Sequence, residues 1–173
     1  MRRALGAGSC KRAIQAGLVP PLLAEGRPAP AWHLTGHDRQ AYHPGAFWAW
    51  LAFLPPWREG PSVRAILEDL EDRRHRIESL DVRIFVVMPK AVEPLGRLAA
   101  GLGLGFPLCS DANGAVAVRF HAAIRTPFGP WIVPTAYLVN PRGTLRMAQR
   151  GVPPAEAVVR TVLAIRQATP DGV

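Results

Sequence analysis

Cysteine is almost absent: Cys10 and Cys109 are the only two in 173 residues. Two thiols so far apart make neither a disulfide framework nor a zinc site, and no Cys-x-x-Cys pair exists. Lysine is equally scarce, since Lys11 and Lys90 are the only lysines among 21 basic residues. Long apolar runs are missing too. The longest, Ala46 to Trp57, spans twelve residues and includes Pro55 and Pro56, whereas a membrane-spanning helix needs about 20. It reads as a core strand, and no transmembrane segment is expected. The opening "MRRALGAGSCKRAIQAGL" places Lys11 and Arg12 where the apolar stretch of a secretory signal would lie. "LGAGSC" is similar to a lipoprotein cleavage box, but the apolar segment before it is too short, so a cytoplasmic location is expected.

What is present is ordinary for a globular chain: 49% hydrophobic and 20% charged residues, enough for one domain with a sizeable core. The formal net charge of +8 could steer the protein toward an acidic partner, anionic lipid or nucleic acid. The arginines are scattered, however, and no alternation of basic and aromatic residues marks an RNA-binding module, so nucleic acid is not expected.

Residues 1–24 read as a basic arm. Ala4, Ile14 and Leu18 alternate with basic residues in a weak helical pattern that Pro20 and Pro21 stop. Such an arm either docks, on its own domain or on a partner, or frays. Residues 25–168 form the expected domain, and 169–173 a tail. "RPAPAWHLTGHDRQAYH" reads as two short strands around a turn at Gly36-His37-Asp38. "GAFWAWLAFL" and "DVRIFVVMP" are buried strands. Between them, Val63, Ile66, Leu67, Leu70, Ile77 and Leu80 keep helical spacing. "VEPLGRLAAGLGL" is a short helix ending in glycines, "GFPLCSD" a short strand, and "ANGAVAVRFHAAI" a helix starting near Asp111. "WIVPTAYLVNPRGTLRMAQRG" is a hairpin turning at residues 140–143, and "PPAEAVVRTVLAIRQA" a last amphipathic helix. The alternation predicts an α/β fold, a central mixed sheet flanked by helices.

Three segments in this order resemble the thioredoxin-like superfamily in its redoxin and peroxiredoxin (AhpC/TSA) form. "LLAEGRPAPAWHLTGHDRQAYH" is similar to the family's opening hairpin, "GFPLCSDANGAVAVRF" to its "F-P-L-x-S-D-x-x-G-x-V-A" segment, and "VPTAYLVNPRG" to the redoxin strand after valine, proline and threonine. The likeness spans residues 22–168. It implies a thioredoxin-like fold with an N-terminal β-hairpin, and a cis Val133–Pro134 bond exposing the backbone of Val133 to an extended partner strand.

The resemblance also locates a strand-to-helix corner in "LAFLPPWREGPSVRAIL", where the family holds its nucleophilic cysteine at a helix N-terminus that stabilises the thiolate. Here that place falls at Pro56 or Trp57. The family's peroxide-binding arginine would fall near Pro134. With both absent, the resemblance implies a catalytically degenerate redoxin acting as a binding or accessory subunit of a protein assembly, whether free or membrane-associated. Trp57, Arg58, Trp131, Val133, Pro134 and Thr135 would form its binding face, although Trp57 and Trp131 could equally fill the empty corner themselves. The alternative is a thiol peroxidase or oxidoreductase working through Cys109. Cys109 is expected at the corner's end of the sheet, on another strand, with Asp111 raising its pKa and Ser110 or Asp111 capping the next helix.

His33, His37 and His43 cluster around the first hairpin beside Asp38, but H-x-x-x-H on a hairpin lacks the convergence it has on a helix. His75 and His121 read as surface residues. No metal and no cofactor is expected.

Overall fold

The computed structural model describes residues 19–56 and 61–168. Its centre is β3 (Trp48–Phe53), whose six residues are all buried. Successive side chains of a strand point to opposite faces, so such a continuous apolar run must be covered on both. Trp48, Trp50 and Ala52 face one core, and Ala49, Leu51 and Phe53 the other. β4 (Val82–Met88) runs parallel to β3, and β5 (Leu108–Ser110) parallel to β4. Antiparallel to β3 lies β8 (Thr135–Val139), followed by β9 (Leu145–Arg150). β1 (Leu34–Gly36) and β2 (Ala41–Tyr42) form the expected N-terminal hairpin and add the far edge. The sheet order is β2-β1-β5-β4-β3-β8-β9, a mixed sheet.

Helices cover both faces. α1 (Pro61–Asp72), α2 (Arg74–Glu78), α3 (Val92–Leu102) and α5 (Ala155–Ala168) bury Leu67, Leu70, Ile77, Leu95, Val158 and Val162 on one. The other holds α4 (Ala115–Arg119) with Val116, Ala117, Trp32 and Phe120. Each fully buried Leu or Phe side chain contributes about 1.5–3 kcal/mol. α3 ends at Gly103, whose φ of 63° is the left-handed cap that glycine adopts without strain.

Two elements differ from the sequence reading. The helix expected through Leu80 breaks at Arg73, where φ is −108° and ψ 6°. Its apolar stripe is interrupted there by Arg73 and Arg74, and Arg74 instead bonds Glu71 at 2.9 Å and Glu78 at 3.0 Å. The helix expected across 112–124 shrinks to the five residues of α4. After His121, at φ 54°, the chain turns into a separate two-stranded ribbon, β6 (Ala123–Thr126) and β7 (Gly129–Ile132). Tyr137 and Arg150 take up the carbonyls freed at the end of α4, those of Phe120 (2.6 Å) and His121 (2.9 Å).

The last hairpin turns at 140–143 as expected, with Asn140 Oδ1 accepting from the amides of Arg142 and Thr144 at 3.1 and 2.8 Å. Backbone bonds from Gly26 to Leu145 (2.8 Å), Leu145 to Arg27 (2.9 Å) and Ala29 to Gly143 (2.7 Å) lay the entering chain along the start of β9. That covers part of an edge that would otherwise offer unpaired backbone groups.

Candidate functional site

The corner lies at the C-terminal end of β3. Phe53 stands opposite Thr135 of β8, and the amide of Leu54 bonds Val87 O at 3.0 Å. Leu54 and Pro55 are buried and Pro56 is exposed. Trp57 and Arg58 lie outside the described residues, as does Cys10.

The Val133-Pro134-Thr135 loop is placed beside this corner but is not the open shelf expected. No cis peptide bond occurs among the described residues, so Val133–Pro134 is trans. The expected cis bond was to expose the backbone of Val133, and that backbone is already engaged. Its amide bonds Ala122 O at 2.8 Å, and its carbonyl accepts from Thr135 Oγ1 at 2.8 Å. With trans intrinsically preferred at an X–Pro bond, nothing in this arrangement calls for cis. Val133 and Thr135 are buried, while Trp131 on β7 and Pro134 are half-buried.

What covers the loop is the chain's own entering segment. Val19 is buried against Val133, with Trp131 packed on the pair. Arg150 Nη2 donates to Pro20 O, and a ring nitrogen of His121 bonds Pro21 O at 2.7 Å. Since a carbonyl only accepts, His121 Nδ1 carries a proton. The described end of the expected arm, residues 19–24, is therefore docked on the domain.

Arg150 is the residue the sequence reading missed. It reaches Thr135 Oγ1 at 2.9 Å from the neighbouring strand, putting a guanidinium next to Pro134, where the resemblance had left a vacancy. A register shift between Leu138 and Val139 sets Ala136 opposite Gln149 and hence Thr135 beside Arg150, and the turn at residues 140–143 alone does not reveal that shift. The guanidinium is committed to the carbonyls of Pro20 and His121 as well as to that hydroxyl.

Cys109 does lie at the corner's end of the sheet, paired with Val87 on β4 and Gly36 on β1. It is fully buried, and burial pushes its thiol up to about 12, with the charge of Asp38 adding to the shift. The acid acting on it is thus Asp38 of the hairpin, not Asp111. The buried Asp111 carboxylate instead caps α4, accepting from the amides of Val116 at 3.2 Å and Ala117 at 2.8 Å. Asp38 bonds the Tyr42 hydroxyl at 2.5 Å and the Gln40 amide at 3.0 Å. Burial opposes ionisation of Asp38, but these bonds outweigh it and hold the carboxyl below its usual range.

The histidines part company. His37 lies at the turn, its ring nitrogen bonded to the Leu108 amide at 3.1 Å. His33 and His43 face each other across the hairpin with ring centroids 5.4 Å apart. His75 sits beside Arg74, its ring nitrogen 3.3 Å from the guanidinium. No group of three or more potential metal-ligating His, Cys, Asp or Glu side chains occurs among the described residues.

A mixed sheet with β3, β4 and β5 parallel, an antiparallel closing hairpin and helices on both faces is the thioredoxin-like fold. The chain matches the AhpC/TSA family over residues 26–148, and it belongs to that family. No curated protein matches it. Among solved structures it is similar to the peroxidoxin BcpB of Mycobacterium tuberculosis, with TM-score 0.76 and 16% identity, covering 83% of this chain and 99% of that one. A peroxiredoxin-like protein of Aquifex aeolicus gives TM-score 0.73 and 16% identity over 85% of this chain and 90% of that one. A cysteine variant of Xylella fastidiosa PrxQ gives 0.73 and 15% over 86% and 99%. No described helix is long and apolar enough to cross a membrane.

Proposed function

We propose that this member of the AhpC/TSA family has given up thiol peroxidase chemistry and serves as a binding or accessory subunit of a protein assembly. The carrying observation is the state of Cys109, together with a corner sequence that contains no cysteine. Peroxide reduction needs an accessible thiolate. The corner sequence Pro55-Pro56-Trp57-Arg58 supplies none, and the thiol of Cys109 is buried and held protonated, with a pKa of about 12. The arginine near the corner is also diverted, since Arg150 holds two backbone carbonyls and the Thr135 hydroxyl. Among the described residues the proposed binding face comprises half-buried Pro134 and Trp131 with buried Val133 and Thr135, and Trp57 and Arg58 are assigned to it from the sequence alone.

The test is hydroperoxide consumption by the freshly reduced protein at sub-stoichiometric peroxide. Consumption no faster than that of free cysteine is expected. Turnover well above it, lost in Cys109→Ser, would overturn the proposal and install Cys109 as the nucleophile.

A further inference from the structure

The outer face of the first hairpin carries a pair of histidines, His33 and His43, away from the corner. β1 and β2 pair so that partner numbers sum to 76: Leu34 with Tyr42 and Thr35 with Ala41. One step beyond the strands, the same register sets His33 opposite His43. Side chains directly opposite on antiparallel strands have Cβ atoms about 4.5–5.5 Å apart, near enough for two imidazoles to meet. They do meet here, with ring centroids 5.4 Å apart and planes inclined by 30°. Both residues are exposed, as are Thr35 and Ala41 beside them, whereas Leu34 between them is buried. The pair therefore stands on the solvent side of an anchored hairpin.

His43 is also oriented. Its Nδ1 lies 2.8 Å from Pro44 O, and because a carbonyl can only accept, Nδ1 carries the proton. In the neutral ring this leaves the lone pair on Nε2. A backbone carbonyl fixing the tautomer and direction of an imidazole in this way is the usual outer-sphere support of a metal-ligating histidine.

We infer that His33 and His43 form a two-imidazole site for a divalent first-row transition metal, Zn2+, Ni2+ or Cu2+, with water completing the coordination. Two imidazoles bound through nitrogen at about 2.1 Å in a near-tetrahedral arrangement place their centroids roughly 5 Å apart, close to the separation found. Imidazole nitrogen favours these three cations over Mg2+ and Ca2+, which prefer oxygen donors. His37 is not a third ligand, since its Nδ1 is engaged by the Leu108 amide. The cation would join the two strands at their open end and staple the sheet edge farthest from β9. This inference does not depend on the absence of catalysis.

Zn2+ titrated calorimetrically into the full chain would test it. The background is Cys10→Ser, which leaves the buried Cys109 as the only thiol. One Zn2+ per chain is expected, weakened about tenfold or more in His33→Ala and in His43→Ala alike. His37→Ala and His75→Ala should bind as the parent does. Thermal unfolding read in parallel should show Zn2+ raising the midpoint of the parent but not of the two pair variants. Folding of each variant is checked by its midpoint in EDTA. If His43→Gln, chosen to preserve size and polarity, binds Zn2+ as tightly as the parent, the inference is wrong. Equal losses in all four histidine variants, or no uptake by the parent at millimolar Zn2+, would also overturn it.

Discussion

At the residue scale the clearest effect belongs to Asp111. Its two carboxylate oxygens accept separately from the amides of Val116 and Ala117, and the side chain is buried. Asp111→Ala leaves two amides of a short helix without partners in a place water cannot easily reach. The expected loss is about 2–3 kcal/mol, combining a missing cap with buried unsatisfied donors. A shifted urea midpoint at unchanged slope would show it. A loss under about 0.5 kcal/mol would mean that the carboxylate does not hold α4. This cap was legible because Ser110-Asp111 follows a strand and precedes an apolar run, which is local information. The acid acting on Cys109 was not legible. Asp111 is two residues from Cys109 in sequence, but Asp38 arrives through the pairing of β1 with β5, which sets Gly36 opposite Cys109.

At the scale of elements, the apolar strands and the last hairpin follow from period and turn chemistry, and both were readable. The β6–β7 ribbon was not, because it depends on distant groups, and the break at Arg73 was not either, because the continuing apolar spacing hides the local pairing of Arg74 with Glu71 and Glu78. The end of α4 is fixed by Tyr137 and Arg150, which lie 17 and 29 residues further on in sequence from the carbonyls they bind. Docking of residues 19–23 is of the same kind: Arg150 and His121 seize carbonyls 130 and 100 residues away. Arg150→Ala should therefore act on one element more than on the molecule. Amides of Leu22 and Leu23 should exchange at least tenfold faster with deuterium, while those of β3 and β4 should change only by the global loss. That loss is expected at about 2–4 kcal/mol, since hydrogen bonds from a charged donor are worth about 1.5–3 kcal/mol each and are not additive. Uniform acceleration across the sheet would instead show that Arg150 supports the fold as a whole.

For the whole molecule, the corner was placed from the order of elements, and the lack of a cysteine in residues 51–67 was read from the residues themselves. Whether it stands open was beyond the sequence, because Val19, Trp131 and Val133 come together only in the folded chain. The buried thiol nonetheless has a consequence for the stability of the entire protein. Cys109 stays protonated in the folded state up to about pH 12, whereas in the unfolded chain a thiol ionises near about 8.5. Between those values the unfolded state binds fewer protons than the native one, so the free energy of unfolding falls as pH rises. The contribution is complete below about pH 8.5 and declines by at most about 1.4 kcal/mol per pH unit toward 12. Tyr137 and Tyr42 are raised as well, each first by burial, and act with the same sign at higher pH. With lysine confined to Lys11 and Lys90, few other side chains titrate in this window. Urea midpoints measured from pH 8 to 11 should therefore fall for the parent and fall less steeply for Cys109→Ala. Parallel slopes would mean that the thiol ionises alike in both states, and would remove the main physical objection to Cys109 as a nucleophile.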